Sequence, residues 1–138
     1  MANEFYVTRR EVFSAAHRLH STDYSDEENK KIFGKCNNPN GHGHNYVLEV
    51  VVKGEIIKET GYVIDLKILK NIIRENVISK VDHKHLNHDV DFLDGINPTA
   101  ENIAYGIWNQ LVDKIPSGEL YSVKLYETEN NYVEYKGE

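Results

Sequence analysis

Apolar and polar positions along the chain fall into three kinds of pattern. Residues 4–13 are rich in aromatic and β-branched side chains and predict a strand, and residues 45–53 (NYVLEVVVK) predict a second, with Tyr46, Leu48, Val50 and Val52 on one face. Residues 55–63 are expected to add a short third strand. Asp65 is a candidate N-cap for a helix running to about Lys80, whose Leu66, Leu69, Ile73 and Val77 are spaced to form an apolar stripe. A second helix is expected from Pro98-Thr99, with Ile103, Ala104, Ile107, Trp108 and Leu111 at helical spacing, ending by Pro116-Ser117-Gly118. Residues 120–127 and 132–136 predict two more strands around a Glu129-Asn130-Asn131 turn. Between the first two strands, residues 20–40 are polar and rich in Gly and Asn, which predicts a long loop.

Strands grouped at both ends of the chain, with helices between, favour an α+β fold. The expected sheet is antiparallel, with both helices on one face and edges that invite pairing with further copies of the chain. The length of 138 residues fits a single domain spanning 1–138. No apolar run approaches the roughly 18 residues of a membrane span. The first residues carry no basic segment followed by an apolar stretch, so no leader is expected and a cytoplasmic location follows by default. The net charge of -6 argues against nucleic acid or an anionic membrane as partner and favours a small molecule. If that molecule is anionic, its pocket has to be built from few cations, with Arg9, Arg10, Arg18 and Lys35 as candidates.

Seven histidines in 138 residues is a high count, and they are grouped as His17 and His20, His42 and His44, then His83, His85 and His88. His42-Gly43-His44 leads into a strand, where residues two apart share a face and both imidazoles can reach one ion. His17 is the best third ligand, giving a three-ligand catalytic zinc site with one position open. Gly43 would keep the space between the imidazoles open. The single cysteine, Cys36, lies in the Gly/Asn-rich loop before His42. It could be a thiolate base with a pKa lowered by a dication and Lys35, a fourth metal ligand, or an inert buried residue. Asp82 is suited to orient His83 for proton transfer, and a surface helix end explains the pair as well. Glu127 alternates with apolar neighbours and could bind two N–H groups of a pterin or guanine edge or take part in a salt bridge.

The segments FSAAHRL, CNNPNGHGHNY, VDHKHLN, PTAENIA and YETENNYVEYKGE, in this order, resemble the 6-pyruvoyl-tetrahydropterin synthase family from about Phe5 onward. The resemblance implies a T-fold (tunnelling fold), with a four-stranded antiparallel sheet and two helices on one face. It implies assembly as a homohexamer, a dimer of trimers with active sites between subunits. The implied substrate is 7,8-dihydroneopterin triphosphate, converted to 6-pyruvoyl-tetrahydropterin with loss of triphosphate in tetrahydrobiopterin biosynthesis. The family pattern makes His17, His42 and His44 the Zn2+ ligands. It makes Cys36, Asp82 and His83 the proton-transfer group, and Glu127 the pterin anchor. Thr99 matches a pocket threonine, whereas Ala100 stands where a second threonine is often found. Two alternatives are a 6-carboxytetrahydropterin synthase, whose members usually have C-x₃-H-G-H where this chain has five residues between Cys36 and His42, and a non-catalytic zinc- or pterin-binding module.

Overall fold

Long alternating segments at the N-terminal end build the centre of the sheet. In the computed structural model, which describes residues 3–138, strands β1 (Glu4–His17) and β2 (His42–Glu55) pair antiparallel along their full length, from Glu4 opposite Glu55 to His17 opposite His42. Both run further than their apolar patterns predict, because backbone pairing carries them through polar residues to the histidines. β4 (Glu119–Thr128) pairs antiparallel with β2, and β5 (Asn131–Tyr135) folds back on β4 as the expected hairpin. A two-residue strand, β3 (Lys84–His85), adds to the outer edge of β1 in parallel. The sheet is therefore five-stranded and mixed, in the order β3-β1-β2-β4-β5, where four antiparallel strands are expected. Two residues are too short to carry a periodic pattern.

One face of this sheet is apolar. Phe13 and Ala15 of β1, Tyr46, Leu48, Val50 and Val52 of β2, and Val123 and Leu125 of β4 are buried there. Helix α2 (Leu66–Ile73) starts at Asp65, whose Oδ1 accepts from the Lys67 N–H at 2.9 Å, and continues through a π turn (Arg74–Ile78) into α3 (Ser79–Val81). Its stripe is Leu69, Ile73, Val77 and Val81, all fully buried, whereas Leu66 is 60% exposed and lies off it. Helix α4 (Ala100–Leu111) starts at Thr99 and buries Ile103, Ala104, Ile107 and Leu111. Each such Leu or Ile stabilises the fold by roughly 1.5–3 kcal/mol. These helices cover the same face, and Tyr6 and Val12 remain exposed on the β1 side chains that alternate away from it.

Two expectations about connections fail. Residues 20–40 contain helix α1 (Asp26–Phe33), held by a capping box: Ser25 Oγ accepts from the Glu28 N–H at 3.1 Å, and Glu28 Oε1 accepts from the Ser25 N–H at 3.0 Å. The buried Asn29 ties this helix to the preceding loop by accepting from the Ser21 N–H and donating to the Ser21 carbonyl, both at 2.8 Å. Residues 56–63 form no strand, because the Ile57 carbonyl accepts from both Thr60 and Gly61 and closes a turn, with Gly61 at φ 81. The chain then inserts Val63 and Ile64 into the core. Among the described residues no helix is long and apolar enough to cross a membrane.

Candidate metal centre and active site

The pairing of β1 with β2 decides which histidines meet. His17 lies opposite His42, and Ala15 lies opposite His44. Because alternate residues share a face, His42 and His44 continue the row of Tyr46, Leu48, Val50 and Val52, and His17 continues that of Phe13 and Ala15. The apolar face of the sheet thus ends in three imidazoles. Their ring centroids are 4.7 Å apart for His17 and His42, 4.7 Å for His42 and His44, and 5.2 Å for His17 and His44.

One nitrogen from each ring lies within 4.8 Å of the other two. Nε2 of His17, Nδ1 of His42 and Nε2 of His44 are buried without a hydrogen-bond partner. His17 is fully buried, and its Nδ1–H donates to the Pro98 carbonyl at 2.8 Å, with the Tyr46 hydroxyl 3.3 Å away. That contact fixes the proton on Nδ1 and leaves the Nε2 lone pair facing the cluster. Burial pushes the His17 imidazole below its ordinary pKa, opposed by the Pro98 carbonyl and the Glu127 carboxylate. The same burial lowers His44, again opposed by Glu127. Each orphaned buried nitrogen costs about 1–3 kcal/mol. Three imidazoles with converging, unpartnered nitrogens are the donor set a divalent transition metal takes, so these residues fit a metal ion.

Glu127, at the end of β4, sits next to this cluster. Its Oε1 is 3.7 Å from His44 Nε2 and its Oε2 is 3.9 Å from His17 Nε2, too far for hydrogen bonds. It also lines a cavity of about 250 Å³ with Thr99, Ala100, Glu101 and Tyr132. The Thr99 Oγ1 caps α4 by accepting from the Asn102 N–H at 3.2 Å, which leaves its O–H available as a donor.

Cys36 lies half-buried in a 3₁₀ turn, Gly34–Asn37, that follows α1. Its carbonyl accepts from the Leu19 N–H at 2.7 Å, and the Asn37 amide donates to the Leu19 carbonyl at 2.7 Å. The loop is thereby tied to the chain just past His17. Neither Cys36 nor Glu127 belongs to the set of mutually close metal-ligating atoms. Burial pushes the thiol up, and the Glu127 carboxylate pushes it further. The lowering expected from Lys35 is therefore absent in the chain alone, where desolvation and a nearby carboxylate prevail.

Asp82 and His83 stand elsewhere, on the outer edge of β1. Asp82 Oδ1 accepts from the Ser14 N–H at 3.0 Å and lies 3.1 Å from His83 Nδ1, while the His83 N–H donates to the Ser14 carbonyl at 2.6 Å. The Ser14 N–H, with help from His83, holds the Asp82 carboxyl below the usual range. His83 has φ 61 and a side chain 82% exposed, and it shares no hydrogen bond with Cys36 among the described residues. His85 and His88 stack on each other with centroids 4.4 Å apart, outside the cluster.

Three contributors escape the sequence reading. Tyr46 and the Pro98 carbonyl orient His17; Tyr46 is legible as the next same-face residue after His44, but Pro98 is 81 positions away from His17. The third is Gly41, with φ 77, where a Cβ would come within 2.8 Å of His85 Nε2 and 3.2 Å of the His17 carbonyl oxygen. Gly43 has no such need, since a Cβ there would meet only the Ala15 carbonyl oxygen at 3.9 Å.

A family model described as 6-pyruvoyl tetrahydropterin synthase matches residues 6–138. The chain is similar to human 6-pyruvoyl tetrahydrobiopterin synthase, with 54% identity over 132 residues covering 96% of this chain and 91% of that protein. It is less similar to a 6-carboxy-5,6,7,8-tetrahydropterin synthase from Rickettsia typhi, with 32% identity over 145 residues covering 92% and 96%. Its fold superimposes on the structure of Caenorhabditis elegans 6-pyruvoyl tetrahydropterin synthase with a TM-score of 0.93 at 43% identity, covering 99% of this chain and 98% of that one. The chain therefore belongs to the 6-pyruvoyl tetrahydropterin synthase family.

Proposed function

We propose that the chain converts 7,8-dihydroneopterin triphosphate to 6-pyruvoyl-tetrahydropterin with elimination of triphosphate, as a zinc-dependent lyase of tetrahydrobiopterin biosynthesis. The observation that carries this reading is that the chain bearing the three-histidine cluster is 54% identical to a 6-pyruvoyl synthase and only 32% identical to a 6-carboxy synthase.

His17, His42 and His44 would hold the metal, and three imidazoles leave the open position of a catalytic zinc site. When bound, zinc supplies Lewis-acid polarisation of the substrate's side-chain hydroxyls. Glu127 accepts from two N–H groups of the pterin edge in the cavity it shares with Thr99, and so holds the reacting carbon beside the cluster. Cys36, on the loop tied beside His17, removes a proton from that carbon. His83, oriented by Asp82, carries protons to and from the site. Since His83 is exposed on an edge of its own chain, it serves the Cys36 of a neighbouring subunit. This reading agrees with a homohexamer built as a dimer of trimers with sites between subunits. Exposed Tyr6 and Val12 on the uncovered sheet face supply apolar surface for such contacts. Residues 1–138 work as one domain in the cytoplasm, without nucleic acid or membrane.

The test is to incubate purified protein with dihydroneopterin triphosphate and identify the product by mass. A 6-pyruvoyl product supports the reading. A 6-carboxy product identifies the related enzyme, and bound but unconverted substrate identifies a binding module.

A further inference from the structure

A cavity of about 460 Å³ lies beside His42, lined by Lys30, Gly34, Lys35, Asn37, Asn38 and Pro39. It shares no residue with the cavity of Glu127 and Thr99. Its lining holds two lysines and no carboxylate. A third cation reaches its wall, because Arg18 Nε donates to the Asn37 carbonyl at 3.1 Å. Among the described residues none of Arg18, Lys30 and Lys35 forms an ion pair, whereas Arg9 and Arg74 are held by Glu11 and Lys53 by Glu119. Arg10 lines a different cavity that also contains Glu49 and Glu129. The cavity beside His83 and Lys84 contains Asp89. In a chain of net charge -6, three unpaired cations around one acid-free cavity form a local field that attracts an anion against the protein's overall repulsion.

Resting on the proposed function, we infer that Arg18, Lys30 and Lys35 form the subsite for the substrate's polyphosphate tail. The order of chemistry along the substrate matches the order along the protein. The pterin edge, with N–H donors, goes to the carboxylate-lined cavity, the hydroxylated side chain to the histidine cluster, and the polyanion to the cationic cavity that His42 borders. The three cations come from the end of β1, from α1 and from the turn carrying Cys36, so the helix inserted between β1 and β2 brings the polyphosphate grip and the thiol to the site on one short segment.

The experiment uses the metal-loaded protein and two probes, inorganic tripolyphosphate and unphosphorylated dihydroneopterin, with binding measured by calorimetry. The Lys30→Gln/Lys35→Gln double variant should bind tripolyphosphate more weakly by roughly tenfold or more, as expected for loss of charge-assisted contacts. It should bind dihydroneopterin unchanged, raise KM for the triphosphate substrate by a similar factor, and show a weaker salt dependence. Lys31→Gln, one residue along the same helix and outside the cavity, should match the parent protein, and equal thermal melting would confirm that the variants fold. Unchanged tripolyphosphate affinity in the double variant, or an equal loss for dihydroneopterin, would overturn the assignment. Tripolyphosphate binding is read without turnover, so a protein that makes another product or none refutes the functional reading while leaving the subsite testable.

Discussion

The chain carries two sets of three histidines, and they have opposite fates. His17, His42 and His44 come from two strands, point to the buried face and expose unpartnered nitrogens to one another. His83, His85 and His88 lie within six residues, closer in sequence than the first set, yet they do not aim three nitrogens at one point. One is 82% exposed beside Asp82, and the other two stack, with His85 Nδ1 accepting from the Asn87 N–H at 3.3 Å. Proximity along the chain does not aim three imidazoles at one point. A strand pair does, because register and two-residue alternation aim side chains from distant segments at one point. The turn with His83 at positive φ instead leaves His83 exposed and apart from the stacked His85 and His88.

Substitution of the proposed ligands should set the two groups of histidines furthest apart. His17→Ala, His42→Ala and His44→Ala should each lose bound metal, and turnover with it, by more than the roughly 10–100-fold that removal of a supporting partner costs. His85→Ala and His88→Ala should keep both. Metal analysis of the five purified variants checks this: full retention in any of the first three removes that residue from the centre, and loss in either of the last two brings it in.

Cys36→Ala sharpens the boundary of the first set. The metal should remain with the three imidazoles, while turnover falls by a factor of about 10² or more, as for loss of a general base. Retained metal with retained turnover would end the base role, and lost metal would make the thiol a ligand.

A smaller effect tests the burial of the first set by pH, to which His85, also lowered by burial, adds in the same direction. Burial depresses the folded-state pKa of His17 and of His44 below 6.5. As pH falls through that value, unfolded imidazoles protonate while the buried ones resist, so the unfolded state binds more protons and stability falls. Denaturant midpoints of the metal-free protein should therefore decrease on going from about pH 8 to about pH 5.5, and less steeply in His17→Gln. A flat profile in the parent protein would show that the imidazoles are not held neutral by burial.

Much of this arrangement is legible in the residues themselves. The Asp65 and Thr99 caps, the stripe from Leu69 to Val77 and the hairpin after Thr128 are local signals, and the structure forms them where the pattern places them. Helix α1 is also local, and its Ser25 and Glu28 capping box could have been read in a segment whose Gly and Asn content suggests a loop. Other features are not local. The two-residue β3 exists only because Ala15 and Ala16 offer a free edge, and the turn at Gly61 is set by hydrogen bonds rather than by apolar spacing. The family motifs name Cys36, Asp82, His83 and Glu127 together, but within one chain Glu127 adjoins the histidine cluster while Asp82 is committed to the edge of β1. In the assembly proposed above a neighbouring copy of the chain brings them together, and no single-chain pattern encodes that.

In the proposed lyase, three imidazoles and no thiolate hold the metal. X-ray absorption at the zinc edge of the purified protein reads that first shell directly. Three imidazole nitrogens near 2.0–2.1 Å are expected, with one further light atom and no sulfur. A sulfur scatterer at about 2.3 Å, or a histidine count other than three, would contradict this.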